Sequence, residues 1–376
     1  MKNRVSFAIF PCFFPETCYI PCRLIYLQGV AMPWKKIVVL LLIISVVHLV
    51  VIYGCVVASK TDVPGNVNAL ERVFERLFSA GENEDQDFKF PEKKNSALRV
   101  SPWLYGKNPV LPGNLKKQAA KAKSVMIVDL TSRRVLYEQN SREKVAIASL
   151  TKLMTLLVVS DQMQSSDKLA LDNVVKISDA AASVEYPGLK RGSYTVKDLL
   201  YSMILGSFND AATQLAITAC GDVAGFVAAM NQRALDMGLA QTEFLDPSGL
   251  PQGGKRANSC ASAADVLHLC EAVTKNPQLR KICSTARYTL SMGSKRRNGG
   301  GTTIGSGNQM INGRDVPGAF GFKTGFTNAA GRCVAFGVER NGRIIIGCIT
   351  GYPSAGNNAL FSFAVNLTNW AFEQDR

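Results

Sequence analysis

The stretch Ile147-Ala-Ser-Leu-Thr-Lys-Leu-Met-Thr155 is where the fold is decided. Ser149 and Lys152 stand three apart at the start of an apolar helix that runs from Leu153 to Val159. Side chains at i and i+3 share a helix face, so the Lys152 Nζ can reach the Ser149 Oγ. A lysine amine held in a dry pocket sheds its proton and acts as a base where histidine otherwise would. The helix N-terminus favours the negative charge that develops on Ser149. The same Ser-x-x-Lys spacing occurs at Ser141–Lys144 and Ser165–Lys168, but in polar, turn-like stretches without an apolar helix to desolvate the lysine.

Histidine is nearly absent from the 376 residues: only His48 and His268 occur. That count removes Ser-His-Asp triads and His-rich zinc sites unless one of the two serves. His48 lies inside a long apolar run, and His268 lies on an apolar helical stretch, Asp265-Val-Leu-His-Leu-Cys-Glu-Ala-Val, where a structural role is expected. Hydrophobic residues make up 47% and charged residues 19%, enough apolar material for a buried core. The net charge is +14, with four of those charges in residues 1–58 and ten beyond. A basic exterior suits an anionic surface such as phospholipid headgroups or acidic wall polymer. No helix-turn-helix, finger or aromatic-basic RNA signature appears, so nucleic acid is not an expected partner. Cys220, Cys260, Cys270, Cys283, Cys333 and Cys348 follow residue 58 without a Cys-x-x-Cys, which argues against zinc and leaves disulfides or buried free thiols open.

Outward from Ser149 the pattern changes twice. Ser124-Val-Met-Ile-Val-Asp-Leu, a turn at Thr131-Ser132-Arg133, and Val135-Leu136-Tyr137 read as a hairpin. Arg332 to Val338 and Arg343 to Thr350 read as a second, joined at Asn341-Gly342. In that register Cys348 faces Ala335 and Cys333 faces Thr350, a marginal diagonal for a disulfide. Between the hairpins, Ser149 to about Leu279 is mostly helical in period. The expected fold class is α+β: one antiparallel sheet formed by both ends of the domain, with a mostly helical subdomain between.

Two further elements carry chemistry. Ser207-Phe208-Asn209 follows a helix ending near Gly206, where Ser207 and Asn209 would serve equally as helix caps; the spacing recurs at Ser306–Asn308. Lys323-Thr324-Gly325 lies on an expected strand, Phe320 to Phe326, with Gly321 and Gly325 opening the backbone to a ligand. Lys323 would supply a positive charge and Thr324 a hydroxyl for an anionic substrate end; alternatively, the lysine merely guards an edge strand.

Ser-x-x-Lys, Ser-x-Asn and Lys-Thr-Gly, with Ser207 58 residues after Ser149 and Lys323 116 after Ser207, together resemble the motif set of penicillin-recognising serine enzymes. With Tyr194-Thr-Val-Lys-Asp-Leu-Leu-Tyr201, Asn209-Asp-Ala-Ala212, Asp246-Pro-Ser-Gly-Leu250 and Lys323-Thr-Gly-Phe-Thr-Asn-Ala-Ala-Gly331, the stretch 120–376 resembles low-molecular-mass penicillin-binding proteins, the serine-type D-alanyl-D-alanine carboxypeptidases. The resemblance implies a penicillin-binding, β-lactamase-like fold and no cofactor or metal. It implies Ser149 as the nucleophile that forms an acyl-enzyme, Lys152 as its base and Ser207 as a proton relay to the leaving D-alanine. It further implies Asn209 holding the substrate amide, Lys323 and Thr324 binding the terminal carboxylate, and the N–H groups of Ser149 and Phe326 as the oxyanion hole. Implied partners are peptidoglycan stem peptides and β-lactam antibiotics. A class A β-lactamase would need a deacylating Glu-x-x-Leu-Asn, which is missing, so slow release of penicillin is expected. A non-catalytic wall-binding scaffold would have lost Ser149 or Lys323, and both are present.

The rest of the chain reads as attachment. Ile37 to Ala58 is 22 residues without a formal charge, preceded by Lys35 and Lys36; as a helix it is about 33 Å long, enough to span a bilayer with the lysines inside. The expected organisation is an N-terminal segment 1–36 with translation starting at Met32, and a membrane anchor or signal peptide at 37–58. A stalk helix and linker at 59–115 and a catalytic domain at 116–376 complete it. This places the domain on the periplasmic side of the inner membrane, tethered through its N-terminal segment. The family's β-rich second domain and amphipathic C-terminal helix do not follow the expected helix Asn358 to Glu373. Endopeptidases of the family, which cut cross-bridges, can likewise lack that second domain, so endopeptidase action is the alternative.

Overall fold

A computed structural model of the chain describes residues 100–106, 109–253, 257–291, 302–314, 316–353 and 356–374. The anchor, stalk and start-site expectations fall on residues 1–99 and lie outside the described residues. Among the described residues no single helix is long and apolar enough to cross a membrane.

The helices are α1 (Gly113–Ala119), α2 (Lys152–Met163), α3 (Asp179–Ala182), α4 (Val196–Leu205), α5 (Asn209–Cys220), α6 (Val223–Met237), α7 (Ala263–Lys275), α8 (Pro277–Ser284) and α9 (Asn357–Glu373). The strands are β1 (Ser124–Asp129), β2 (Arg134–Gln139), β3 (Val145–Ala146), β4 (Val174–Lys176), β5 (Ser193–Thr195), β6 (Cys260–Ala261), β7 (Arg287–Thr289), β8 (Thr303–Gly305), β9 (Lys323–Thr327), β10 (Gly331–Arg340) and β11 (Arg343–Tyr352). Five strands make one antiparallel sheet in the order β2-β1-β11-β10-β9. Both ends of the domain therefore build it, as the two hairpins led one to expect. Three short pairs, β3–β6, β4–β5 and β7–β8, punctuate the helical middle.

The sheet is covered on both faces, which is why all six β1 residues are buried. Met126 and Val128 point into the core of the helical subdomain, while Val125 and Ile127 point to a second core with α1 and α9. The β10–β11 hairpin turns at Asn341 and Gly342, with φ 50° and 73°; two left-handed residues in succession give the turn whose twist matches its strands. Helix α2 runs through the centre of the helical layer, and every residue from Lys152 to Ser160 is buried. An apolar sequence without a polar face suits that position. Helix α4 opens with a reciprocal cap, the Thr195 side chain accepting from the Asp198 N–H and Asp198 from that of Thr195. Asp198 also takes the Tyr288 hydroxyl at 3.0 Å and the Ser291 N–H at 2.9 Å, tying β7 to α4.

Three expectations shift. The domain begins before Lys116: Trp103 is buried and stacks on His268 at 4.4 Å, and Leu111 and Leu115 enter the second core. These apolar side chains withdraw 100–115 from the linker. The strand expected over Phe320 to Phe326 is regular only from Lys323, because Gly321 has φ 68°. Phe320 and Phe322 still donate to Gly337 O and Ala335 O at 2.9 and 3.1 Å. Ala335 does pair with Cys348, but a bulge between Arg332 and Val334 takes Cys333 out of register with Thr350. All six described cysteines are free thiols. His268 is structural as expected, buried with Nδ1 3.4 Å from the Glu271 carboxylate.

Candidate active site

Ser149 lies in a 3-10 turn, Ala148–Thr151, that runs directly into α2. It lines a groove of about 870 Å³ between the helical layer and the edge of the sheet. Ala148, Ser207 and Tyr186 have φ of 47°, 59° and 54°. Left-handed backbone is uncommon for residues bearing a Cβ and collects where a site holds it in place. Here Ala148 precedes Ser149, and the other two line the groove.

Lys152 is fully buried, with its Nζ 3.1 Å from Ser149 Oγ, 2.8 Å from Asn209 Oδ1 and 2.7 Å from Ser248 O. Burial, and after it the positive charge of Lys323, pushes this amine well below the ordinary lysine range, against the pull of the Asp246 and Asp210 carboxylates. An ammonium would donate to all three neighbours. A neutral amine has two hydrogens and one lone pair. Asn209 Oδ1 and Ser248 O accept only, so both hydrogens go to them and the lone pair is left for the Ser149 hydroxyl.

The loop behind Lys152 is held tightly. The Asp246 carboxylate accepts the N–H of Ser248 at 2.7 Å and of Leu250 at 3.1 Å, besides the Ser248 hydroxyl. Thr155, one turn after Lys152 on α2, donates to Pro247 O at 2.6 Å. Gly249 has φ 82°, and a Cβ there would stand 2.1 Å from Ala148 O. Only glycine lets this loop lie against the Ser149 turn. Asp246-Pro-Ser-Gly carries the sign of an Asx turn, but nothing local in the sequence says that its Ser248 carbonyl meets Lys152.

Ser207 and Asn209 reach the groove from the junction of α4 and α5. Neither caps a helix: the N-cap of α5 is Phe208, without a side-chain cap bond. Asn209 is buried, with Oδ1 taken by Lys152 and Nδ2 donating to Glu185 O at 2.9 Å and Tyr186 O at 3.4 Å. A substrate amide would have to displace one of these bonds. Asp210 completes the hold on that wall, accepting the N–H of Gly188 and of Leu189 at 3.1 and 2.7 Å.

On the sheet side, β9 comes against the Ser149 turn at Gly325, where a Cβ would be 3.0 Å from Ser149 N. That approach puts Ser149 and Phe326 beside one another in the groove. Thr324 lines it too, and a Cβ on Gly307 would lie 3.1 Å from the Thr324 Oγ1. Lys323 stands behind this wall. Its Nζ donates to Thr324 O at 2.9 Å, and burial lowers its pKa to about 7. All seven residues singled out from the sequence thus converge on one groove, five lining its surface with Lys152 and Lys323 beneath. The sequence marks the stretches of Asp210, Asp246, Ser248, Gly249 and Gly307 but not their part as supports of the site.

The chain is similar to known proteins over this domain. Residues 113–352 match the peptidase S11 family, described as D-alanyl-D-alanine carboxypeptidase. The D-alanyl-D-alanine carboxypeptidase DacF of Bacillus subtilis is 29% identical over 236 residues, 62% of this chain and 58% of that protein, so the chain spans under two thirds of that relative. A D-alanyl-D-alanine endopeptidase of Escherichia coli is 30% identical over 252 residues, 66% of this chain and 76% of the relative. The ampicillin-bound crystal structure of penicillin-binding protein D2 from Listeria monocytogenes superimposes with TM-score 0.57 at 26% identity, covering 66% of this chain and 97% of that one. The α+β, penicillin-binding fold is the one expected. With the family model spanning more than half of its residues, the chain belongs to the D-alanyl-D-alanine carboxypeptidase family, peptidase S11.

Proposed function

We propose that the protein is a serine DD-peptidase that removes the terminal D-alanine from peptidoglycan stem pentapeptides and is acylated by β-lactams. One observation carries the reading: Lys152 Nζ lies 3.1 Å from Ser149 Oγ, and its other two neighbours, Asn209 Oδ1 and Ser248 O, only accept, so the lone pair of a neutral amine is free for the Ser149 hydroxyl. Ser149 Oγ attacks the carbonyl of the penultimate D-alanine while its proton passes to Lys152. The carbonyl oxygen gathers negative charge against the N–H groups of Ser149 and Phe326. The C–N bond breaks, the departing D-alanine amine takes a proton through Ser207, and water then hydrolyses the Ser149 ester. Asn209 holds Lys152 and the groove wall. Thr324 and the Lys323 charge receive the terminal carboxylate. The work is done on the periplasmic side of the inner membrane, with the apolar run 37–58 as the tether.

Fluorescent penicillin is expected to label the protein covalently, and Ser149→Ala to abolish the label; a labelled Ser149→Ala protein overturns the nucleophile assignment. A second reading, DD-endopeptidase action on cross-bridges, is favoured by the likeness to the E. coli endopeptidase. Mass spectrometry of products from a D-Ala-D-Ala pentapeptide and a cross-linked muropeptide separates the two.

A further inference from the structure

The Lys323 ammonium is 2% exposed and does not line the groove. Among the described residues that do, two carry a formal charge, Glu185 and Arg332. Glu185 belongs to the wall that Asn209 and Asp210 hold. Arg332 belongs to the sheet, where it is the cross-strand partner of Phe326. Its guanidinium lies 5.1 Å from the centroid of the Phe326 ring, and its Nη1 donates to Asn357 Oδ1 at 3.4 Å. A ring face attracts a guanidinium above it, and an arginine stays charged at every pH at which the protein works. Five N–H groups in a fixed plane match the two oxygens of a carboxylate. Lys323, buried behind the wall, adds its charge from beneath and has no planar fork to offer.

We propose that Arg332 is a specificity-determining residue that binds a carboxylate of the substrate at the β9–β10 end of the groove. The proposal rests on the Ser149 acyl-enzyme reading. Two parts of a stem peptide can supply the carboxylate: its C-terminus, or a side chain on the acyl side of the scissile bond. Phe326 is two residues beyond Thr324, about 7 Å along the strand, so a peptide laid along β9 brings either within reach.

The test compares the full chain with Arg332→Leu, Arg332→Gln and Arg332→Lys on three pentapeptides ending in D-Ala-D-Ala. One has a free carboxylate on the third residue's side chain; the second is amidated there; the third is amidated at its C-terminus. Arg332→Leu and Arg332→Gln are expected to lose about 10- to 100-fold in kcat/KM on the free peptide, as for a lost charged hydrogen bond. Arg332→Lys should fall between. On the peptide whose amidation removes the recognised carboxylate, the ratio of wild type to variant should collapse toward one, which identifies the source. Equal losses on all three peptides, or none on any, overturn the proposal. Penicillin labelling of each variant reports an intact Ser149. A wild type that neither labels nor cuts any peptide overturns the acyl-enzyme reading instead.

Discussion

Two buried lysines, Lys152 and Lys323, meet the groove from its two walls with very different surroundings. Lys152 has three hydrogen-bond neighbours and feels the carboxylates of Asp246 and Asp210. Among the described residues, Lys323 has one acceptor, the carbonyl of the next residue, and the Cys283 thiol opposes the effect of its burial. Burial depresses both amines. The first is held by fixed acceptors that leave the lone pair of a neutral amine one direction; in the proposed reaction the second supplies its charge to the substrate's carboxylate. A base needs to lose its proton and an anion hook needs to keep it, and the same residue type serves both because the neighbours differ.

One substitution made at both positions breaks the comparison most sharply. Arginine never releases its proton near neutral pH, so Lys152→Arg is expected to cut the rate of penicillin acylation by about 1,000-fold or more. Lys323→Arg keeps the charge and should retain most of that rate at pH 7. Equal loss at both sites, measured by stopped-flow acylation, would mean that Lys152 serves as a charge and not as a base. Next in size is the support of Lys152. Gly249→Ala places a Cβ 2.1 Å from Ala148 O on a backbone with φ 82°, which should destabilise the fold by about 1–3 kcal/mol. As the Ser248 carbonyl moves from Lys152, acylation should fall by about 100-fold. Thermal melting and acylation measured together check this; an unchanged melting temperature would show that the loop yields without strain.

The pH profile carries the third effect. In the proposed reaction the Lys152 amine must be neutral, so kcat/KM should rise with pH through its depressed pKa. The same reaction needs the Lys323 amine charged, and with a folded pKa of about 7 its charged fraction falls above that pH. The profile of the free enzyme should be a bell, about tenfold down one pH unit past the falling limb. Lys323→Arg should remove the falling limb and leave the rising one. A limb that survives in Lys323→Arg belongs to another group.

How much of this was legible follows the same divide. Both hairpins, the helical middle and the three motifs stand in the sequence because they are local: alternation, Asn-Gly, and residues three apart on one helix turn. That Lys152 lies under Ser149 followed from spacing alone. What escaped notice depends on residues brought together from distant segments. The Ser248 carbonyl meets Lys152 across 96 residues, and carbonyls bear no mark of their use in a sequence. Trp103 reads as linker in the sequence because its partner, His268, is far along the chain. Cys333 was misregistered because no residue announces the bulge beside it.

The smallest expected effect belongs to the second Ser-x-Asn of the chain. In Ser306-Gly307-Asn308, the Ser306 Oγ accepts the Asn308 N–H at 3.2 Å, and Gly307 N–H donates to Leu205 O at 3.0 Å, at the end of α4. The turn is thereby pinned between the Ser207 junction and β9. A Cβ on Gly307 would lie 3.1 Å from the Thr324 Oγ1, tighter than an ordinary contact, so the hydroxyl must swing away or the turn retreat. The nucleophile and its base are untouched by either movement. Gly307→Ala should therefore raise KM for a D-Ala-D-Ala peptide by about three- to tenfold, roughly the worth of one neutral hydrogen bond, with kcat nearly unchanged. Thr324→Val should produce a loss of similar size, and adding Gly307→Ala to it should cost little more, since both act on one hydroxyl. Additive losses in the double variant would separate the turn from Thr324 and leave the sheet wall's hold on the carboxylate to Lys323 and its neighbours alone.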